Sequence, residues 1–139
     1  MSDLIAMLKR HEGVRLTPYI DTVGKVTIGC GRNLTDRGLT KDEVELLLYN
    51  DVRRCRQEAV TTWEWFIEID NVRQDVLLNM LFNLGLTRLL GFKKFLMACT
   101  VQDWKTASTE MLDSLWATQV GDRATELSQM LLAGEYVQG

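Results

Sequence analysis

Apolar and polar residues alternate in one stretch of this chain, Val14 to Leu34, whereas apolar residues recur at helical spacing almost everywhere else. Within that stretch Tyr19, Val26, Thr27 and Ile28 are strand formers, and Gly24, Gly29, Gly31 and Gly38 punctuate them. Asp21-Thr22-Val23-Gly24 reads as the turn of a hairpin between strands at Leu16–Ile20 and Lys25–Gly29. Pro18, the single proline, lacks an N–H and suits an edge strand. No second strand-rich region exists for this sheet to join, so the sheet is small and the chain falls in the α+β class.

The helical segments carry their own boundary signals. Leu4, Ile5, Met7 and Leu8 follow Ser2 and Asp3, predicting a helix over residues 3–12 that stops at Gly13. Thr40 and Glu43 form a capping box ahead of Val44, Leu47, Leu48, Val52 and Cys55. Further starts are predicted at Asp70, Thr100 and Asp122, with stops at Gly85 and Gly134. At 139 residues the chain is long enough for one domain with its own core.

Net charge is −3 and the lysines and arginines are scattered, which argues against a nucleic-acid partner, since phosphate binding needs a basic face. Cys30, Cys55 and Cys99 are odd in number and widely spaced, so they are expected to be reduced, mostly structural thiols. With one histidine, His11, no metal site can be assembled, and neither metal nor cofactor is expected. A Cys30 nucleophile would need a histidine base, and His11 has no evident reason to approach it; His11 is read as a packing residue at a helix end. The beginning MSDLIAMLKRHEG lacks a basic leader followed by an apolar run, which predicts a chain kept in the cytoplasm until another protein releases it.

Chemistry concentrates in the first quarter. Glu12 closes a helix, Asp21 sits in a hairpin turn and Thr27 lies on the following strand. Glycoside hydrolysis needs one carboxyl group protonated to release the leaving oxygen and a second one ionised to activate water or attack the sugar. A glutamate beside a packed helix and an aspartate in a solvated turn offer those unlike surroundings. Alternation places Lys25, Thr27 and Gly29 on one strand face and Val26, Ile28 and Cys30 on the other, leaving the Thr27 hydroxyl able to hold a water. Taken singly, these residues read as a helix-end charge, a turn former and a strand filler.

Taken jointly, Glu12-x8-Asp21-x5-Thr27 within HEGVRLTPYIDTVGKVTIGCGRNLT resembles the phage-type lysozyme family, the endolysins. The similarity continues through LTKDEVELLLYNDV, MLFNLG, Gly91-Phe92 and SLWATQVGDRA. The resemblance implies a single lysozyme-like domain, with about residues 1–40 and the start of a linking helix as a small β-bearing lobe and about residues 60–139 as a larger helical lobe. It implies Glu12 as general acid, Asp21 as the base that activates water, Thr27 as the residue that positions that water, and substrate contacts at Asn33 and Phe82. The implied substrate is bacterial peptidoglycan, cut at the β-1,4 bond from N-acetylmuramic acid to N-acetylglucosamine, usually with inversion. A monomer with holin-dependent access to the wall is expected.

The sequence departs from the family pattern at Arg32, where histidine is frequent, and at Asn33, Phe95 and Glu110. Trp63 and Trp65, in a segment without clear period, are the better candidates for exposed sugar-stacking aromatics, whereas Trp104 and Trp116 read as core. A lytic transglycosylase would need no base, so Asp21 and Thr27 speak against it. Intact Glu12 speaks against a non-catalytic wall-binding protein on the same fold.

Overall fold

A computed structural model describes residues 2–137. The chain divides into two compact units, one up to Leu47 and the other from Leu48 onward. In the first, helix α1 (Ser2–Glu12) leads into strands β1 (Arg15–Ile20), β2 (Val26–Gly29) and β3 (Arg32–Asn33), and then into the first turns of α2 (Lys41–Thr62). The second unit holds the remainder of α2 and a 3-10 turn at Glu64–Glu68. It continues with α3 (Asn71–Leu84), α4 (Leu86–Leu90), α5 (Lys93–Thr100), α6 (Trp104–Leu112), α7 (Leu115–Val120) and α8 (Asp122–Ala133). This is an α+β fold, as the single β-like stretch requires. Among the described residues no helix is long and apolar enough to cross a membrane.

The sheet is antiparallel in the order β1-β2-β3. Tyr19 pairs with Thr27 and Ile20 with Val26, but the register breaks between Arg15 and Tyr19, the interval that holds Pro18. A proline has no N–H for the ladder, and an edge strand tolerates the irregularity. β3 was not anticipated. It is two residues long, paired Thr27 with Asn33 and Ile28 with Arg32, too short to show any alternation of its own.

Thr27 is the one buried side chain of this unit among its described residues, at 3% exposure. Leu4, Ile5, Met7, Leu8, Leu16 and Val23 are all exposed. The apolar core lies in the helical unit, where Phe66, Val76, Leu77, Met80, Phe95, Met111 and Leu131 are essentially sealed from solvent.

Capping follows the sequence in most places. Asp70 accepts the Arg73 N–H at 3.1 Å, and Gly85 donates to the Leu81 carbonyl at 2.8 Å as α3 ends. The start expected at Thr100 lies elsewhere. Thr100 closes α5, and Asp103 caps α6 by accepting the Thr106 N–H at 3.1 Å. Two short helices around a tight turn share one apolar period, so the boundary between them is invisible to periodicity.

The tryptophan expectation is also corrected. Trp63 is 7% exposed within the core, stacked on the half-buried Trp65 at 5.6 Å between ring centroids. A 3-10 turn has no 3.6-residue stripe to betray its buried side. Trp116 is buried, as expected, and its indole N–H donates to Asn83 Oδ1 at 2.7 Å. Cys55 and Cys99 are buried, and desolvation pushes the Cys99 thiol up to about 12. Cys30, expected with the others to be a structural thiol, is exposed, because it lies in the turn after β2.

Arg73 ties the first turn of α3 to the last turn of α8. Its Nε donates to the Leu131 carbonyl at 2.6 Å and its Nη2 to the Leu132 carbonyl at 3.0 Å, satisfying acceptors left open at a helix end. The guanidinium also lies 4.6 Å from the Trp104 ring centroid. Gly134, left-handed at φ 72°, leaves room for it, since a Cβ there would stand 3.1 Å from Arg73 Nη1. Arg73→Met should therefore lower the unfolding free energy by about 2 kcal/mol, the order expected for charged hydrogen bonds, and urea titration of the wild type beside the variant measures it. An unchanged midpoint would remove Arg73 from the helical unit's framework.

Candidate active site

α1 ends where its periodicity ends. The Gly13 amide donates to the Lys9 carbonyl at 2.9 Å, leaving Glu12 as the last helical residue. Its carboxyl group lies over the turn between β2 and β3. A Cβ on Gly31 would come within 3.2 Å of Glu12 Oε2, and Gly31 holds φ at 81°, a conformation glycine adopts without strain. The backbone angle favours glycine at that position, and a Cβ there would press on the Glu12 side chain.

Asp21 heads the β1–β2 turn. Its Oδ1 accepts the Val23 N–H at 2.9 Å and the Lys25 N–H at 2.8 Å, and its own N–H donates to the Lys25 carbonyl at 2.9 Å. This is an aspartate turn in which one oxygen is committed to backbone donors. Oδ2 has no hydrogen-bond partner among the described residues.

The Lys25 carbonyl also accepts from the Thr27 hydroxyl at 3.0 Å. One peptide unit therefore fixes both Asp21 and Thr27. With its proton directed at Lys25, the Thr27 oxygen keeps acceptor capacity for a water.

Asn33 pairs with Thr27 across the ladder. Its side chain is used in the loop that follows: Nδ2 donates to Asp36 Oδ2 at 3.0 Å, and Oδ1 accepts the Asp36 N–H at 2.9 Å. The first unit thus carries Glu12 at the end of α1, Asp21 at the head of the β1–β2 turn, and Thr27 and Asn33 on paired strands. Phe82 belongs to the helical unit, where it is half exposed beside a groove of about 370 Å³ lined also by Leu48, Val52, Asp75, Asn79 and Arg123. Arg123 Nε donates to Asn79 Oδ1 at 2.8 Å, and the Tyr136 hydroxyl donates to Asp75. Phe95 is buried in the core, and Glu110 lines a separate depression with Lys93 and Lys94.

The ion pair between Arg32 and Glu43 escaped sequence reasoning. Arg32 Nη1 donates to Glu43 Oε1 at 2.6 Å and to the Gly38 carbonyl at 3.1 Å. The capping box announced Glu43 as a partner of the Thr40 N–H, which it is at 2.8 Å. Its second partner arrives from a strand, and nothing local in the sequence signals that.

With this geometry in place, comparison with known proteins is decisive. The family described as phage lysozyme matches residues 9–130. The chain belongs to the phage lysozyme family. It is 26% identical over 163 aligned residues to "Probable T4-type lysozyme 1" of Dictyostelium discoideum, covering 96% of each chain. It is 28% identical over 159 residues to "Pre-baseplate central spike protein Gp5" of Enterobacteria phage T4, covering 92% of this chain but 27% of that protein. An "Endolysin" of Acyrthosiphon pisum secondary endosymbiont phage 1 is 26% identical over 112 residues, covering 78% of this chain and 74% of that one. Family membership carries a lysozyme-type, wall-hydrolysing role with peptidoglycan as substrate, and the fold is that of a lysozyme.

The Arg32 and Thr40 bonds hold the Glu43 carboxyl well below its usual value near 4.5, at about 2. The unfolded chain therefore binds more protons between those values, so the pair stabilises the small unit fully above about pH 4.5 and loses that contribution as pH falls toward 2. Hydrogen-exchange protection of the Arg37 and Gly38 amides, which donate to Asn33 and Leu34 carbonyls, should fall across that window. Glu43→Gln should flatten the dependence; a Gln variant with the same acid transition would assign it to another group.

Proposed function

We propose that this protein is a peptidoglycan N-acetylmuramoylhydrolase that cuts the β-1,4 bond from N-acetylmuramic acid to N-acetylglucosamine with inversion at the anomeric carbon. The observation that carries the reading is the joint anchoring of the Asp21 N–H and the Thr27 hydroxyl on the Lys25 carbonyl, beside the sheet whose β2–β3 turn receives the Glu12 carboxyl. An inverting hydrolase needs an acid, a base and a positioned water, with room for that water between carboxyl groups roughly 6.5–9.5 Å apart. Glu12 protonates the leaving oxygen. Asp21, through its unengaged Oδ2, takes the proton of a water that Thr27 holds by its free lone pair. The base geometry favours this reading over a lytic transglycosylase, which would make no use of Asp21.

Asn33 contributes to substrate contact by shaping the loop after β3, and Phe82 offers an apolar surface to a sugar ring. The physiological setting proposed is lysis of a bacterial host, the protein waiting in the cytoplasm until a holin opens the inner membrane.

Glu12→Gln keeps the shape of the side chain but has no proton to give, so clearing of purified peptidoglycan should fall by roughly two to four orders of magnitude while the fold is retained. On a soluble glycan, NMR at early times should show the new reducing end as the α-anomer, and Asp21→Asn should slow its appearance strongly. A β-anomer would make Asp21 a nucleophile, and a 1,6-anhydro end would place the enzyme among the transglycosylases. A folded Glu12→Gln protein with near-normal activity would falsify the assignment of the acid.

A further inference from the structure

The turn that receives the Glu12 carboxyl is built to be loose. Gly29 and Gly31, at φ 69° and 81°, flank Cys30, and glycines give up the most conformational entropy when a turn is ordered. β3, which follows, has two residues and pairs with β2 at Thr27 with Asn33 and Ile28 with Arg32. Cys30 and Gly31 are exposed, so apolar packing does not hold this turn either.

What does hold it begins at the next residue. The Arg32 guanidinium reaches the Gly38 carbonyl at 3.1 Å and Glu43 Oε1 at 2.6 Å, and the same Glu43 oxygen accepts the Thr40 N–H at 2.8 Å. Glu43 sits in the first turn of α2, and its own N–H is bonded to the Thr40 hydroxyl at 3.2 Å. A single carboxylate oxygen thus locks the end of the loop, the start of a helix and the strand directly after Gly31. Arg32 and Glu43 are both about one-third exposed, so bulk solvent screens their attraction, and what counts is that one nitrogen, Nη1, bridges the Gly38 carbonyl and Glu43.

We propose that Arg32 is a positioning residue for Glu12: its fork onto Glu43 and Gly38 fixes the Gly31 backbone against which the Glu12 carboxyl rests. This rests on the reading of Glu12 as general acid. The fork acts by keeping the acid aligned with the leaving oxygen, and does not touch substrate. Misalignment of about an ångström costs up to a hundredfold in rate without a matching loss in binding.

The test is steady-state kinetics on a soluble glycan for wild type, Arg32→Met, Arg32→Lys, Glu43→Gln and the Arg32→Met/Glu43→Gln double variant, with folding checked by circular dichroism. Arg32→Met should lower kcat by roughly tenfold with KM little changed, and Arg32→Lys, which can still reach Glu43, should restore most of it. The double variant should be no slower than Arg32→Met, because both changes remove one contact. A folded Arg32→Met protein with wild-type kcat overturns the proposal, as does a loss confined to KM, which would put Arg32 on the substrate. Additive losses in the double variant also overturn it. If Arg32→Met fails to fold, the folded Glu43→Gln variant decides: a lowered kcat at unchanged KM supports the brace, and a wild-type kcat or a loss confined to KM overturns it. A wild type without activity, indistinguishable from Glu12→Gln, would instead sink the glycosidase reading itself.

Discussion

A unit in which Thr27 is the one buried side chain among the described residues has to be shaped by directed polar bonds rather than by apolar packing. Three groups do that work in the β-bearing unit. Asp21 turns the chain with one oxygen, the Lys25 peptide links that turn to Thr27, and Glu43 fastens β3 and the following loop to α2. Each bond is modest, but together they leave little freedom for the residues between them. The residues so held include Asp21, Thr27 and Asn33, while Glu12 comes to this frame from the end of α1.

The helical unit obeys a different constraint. Its framework is a continuous apolar core running from Cys55 to Leu131, and polar groups enter it where a helix end or a turn would otherwise leave acceptors open. Gln74, buried beneath the 3-10 turn, donates to the Phe66 and Ile69 carbonyls at 3.0 and 3.1 Å. Arg73 serves the carbonyls at the end of α8. Such a unit is rigid by burial, and its exposed Phe82 and half-buried Arg123 stand on helices whose inner faces are packed.

Placing the proposed acid and base on the polar-bonded unit has a chemical logic. A base that must accept a proton cannot be sealed in apolar surroundings. Asp21 is half-buried, with one oxygen committed to the backbone and the other uncommitted. That division of one carboxylate between structure and chemistry lets a turn-forming residue do both. It also explains why the aspartate, read singly, looks like a turn former and nothing more.

Much of this was legible along the chain because the deciding interactions are local. The α1 end at Gly13, the hairpin around Asp21, the irregular edge strand at Pro18, the Thr40 and Glu43 capping box and the Asp70 cap all involve residues within a few positions of one another, where spacing and turn chemistry suffice. The placement of Glu12 at a helix end, Asp21 in a turn and Thr27 on the next strand was legible for a related reason, since those elements are consecutive. What the tertiary structure alone decided are contacts between residues far apart in sequence, or in elements too short to have a period. The burial of Trp63 was not foreseen because the 3-10 turn it precedes carries no stripe, and the start of α6 after Asp103 rather than Thr100 was not foreseen because two short helices share one pattern. The Arg32 fork onto Glu43, eleven residues on, and the Arg73 caps on α8, nearly sixty residues on, depend on where the backbone returns. No local preference encodes that return, because it is set by the packing of whole elements.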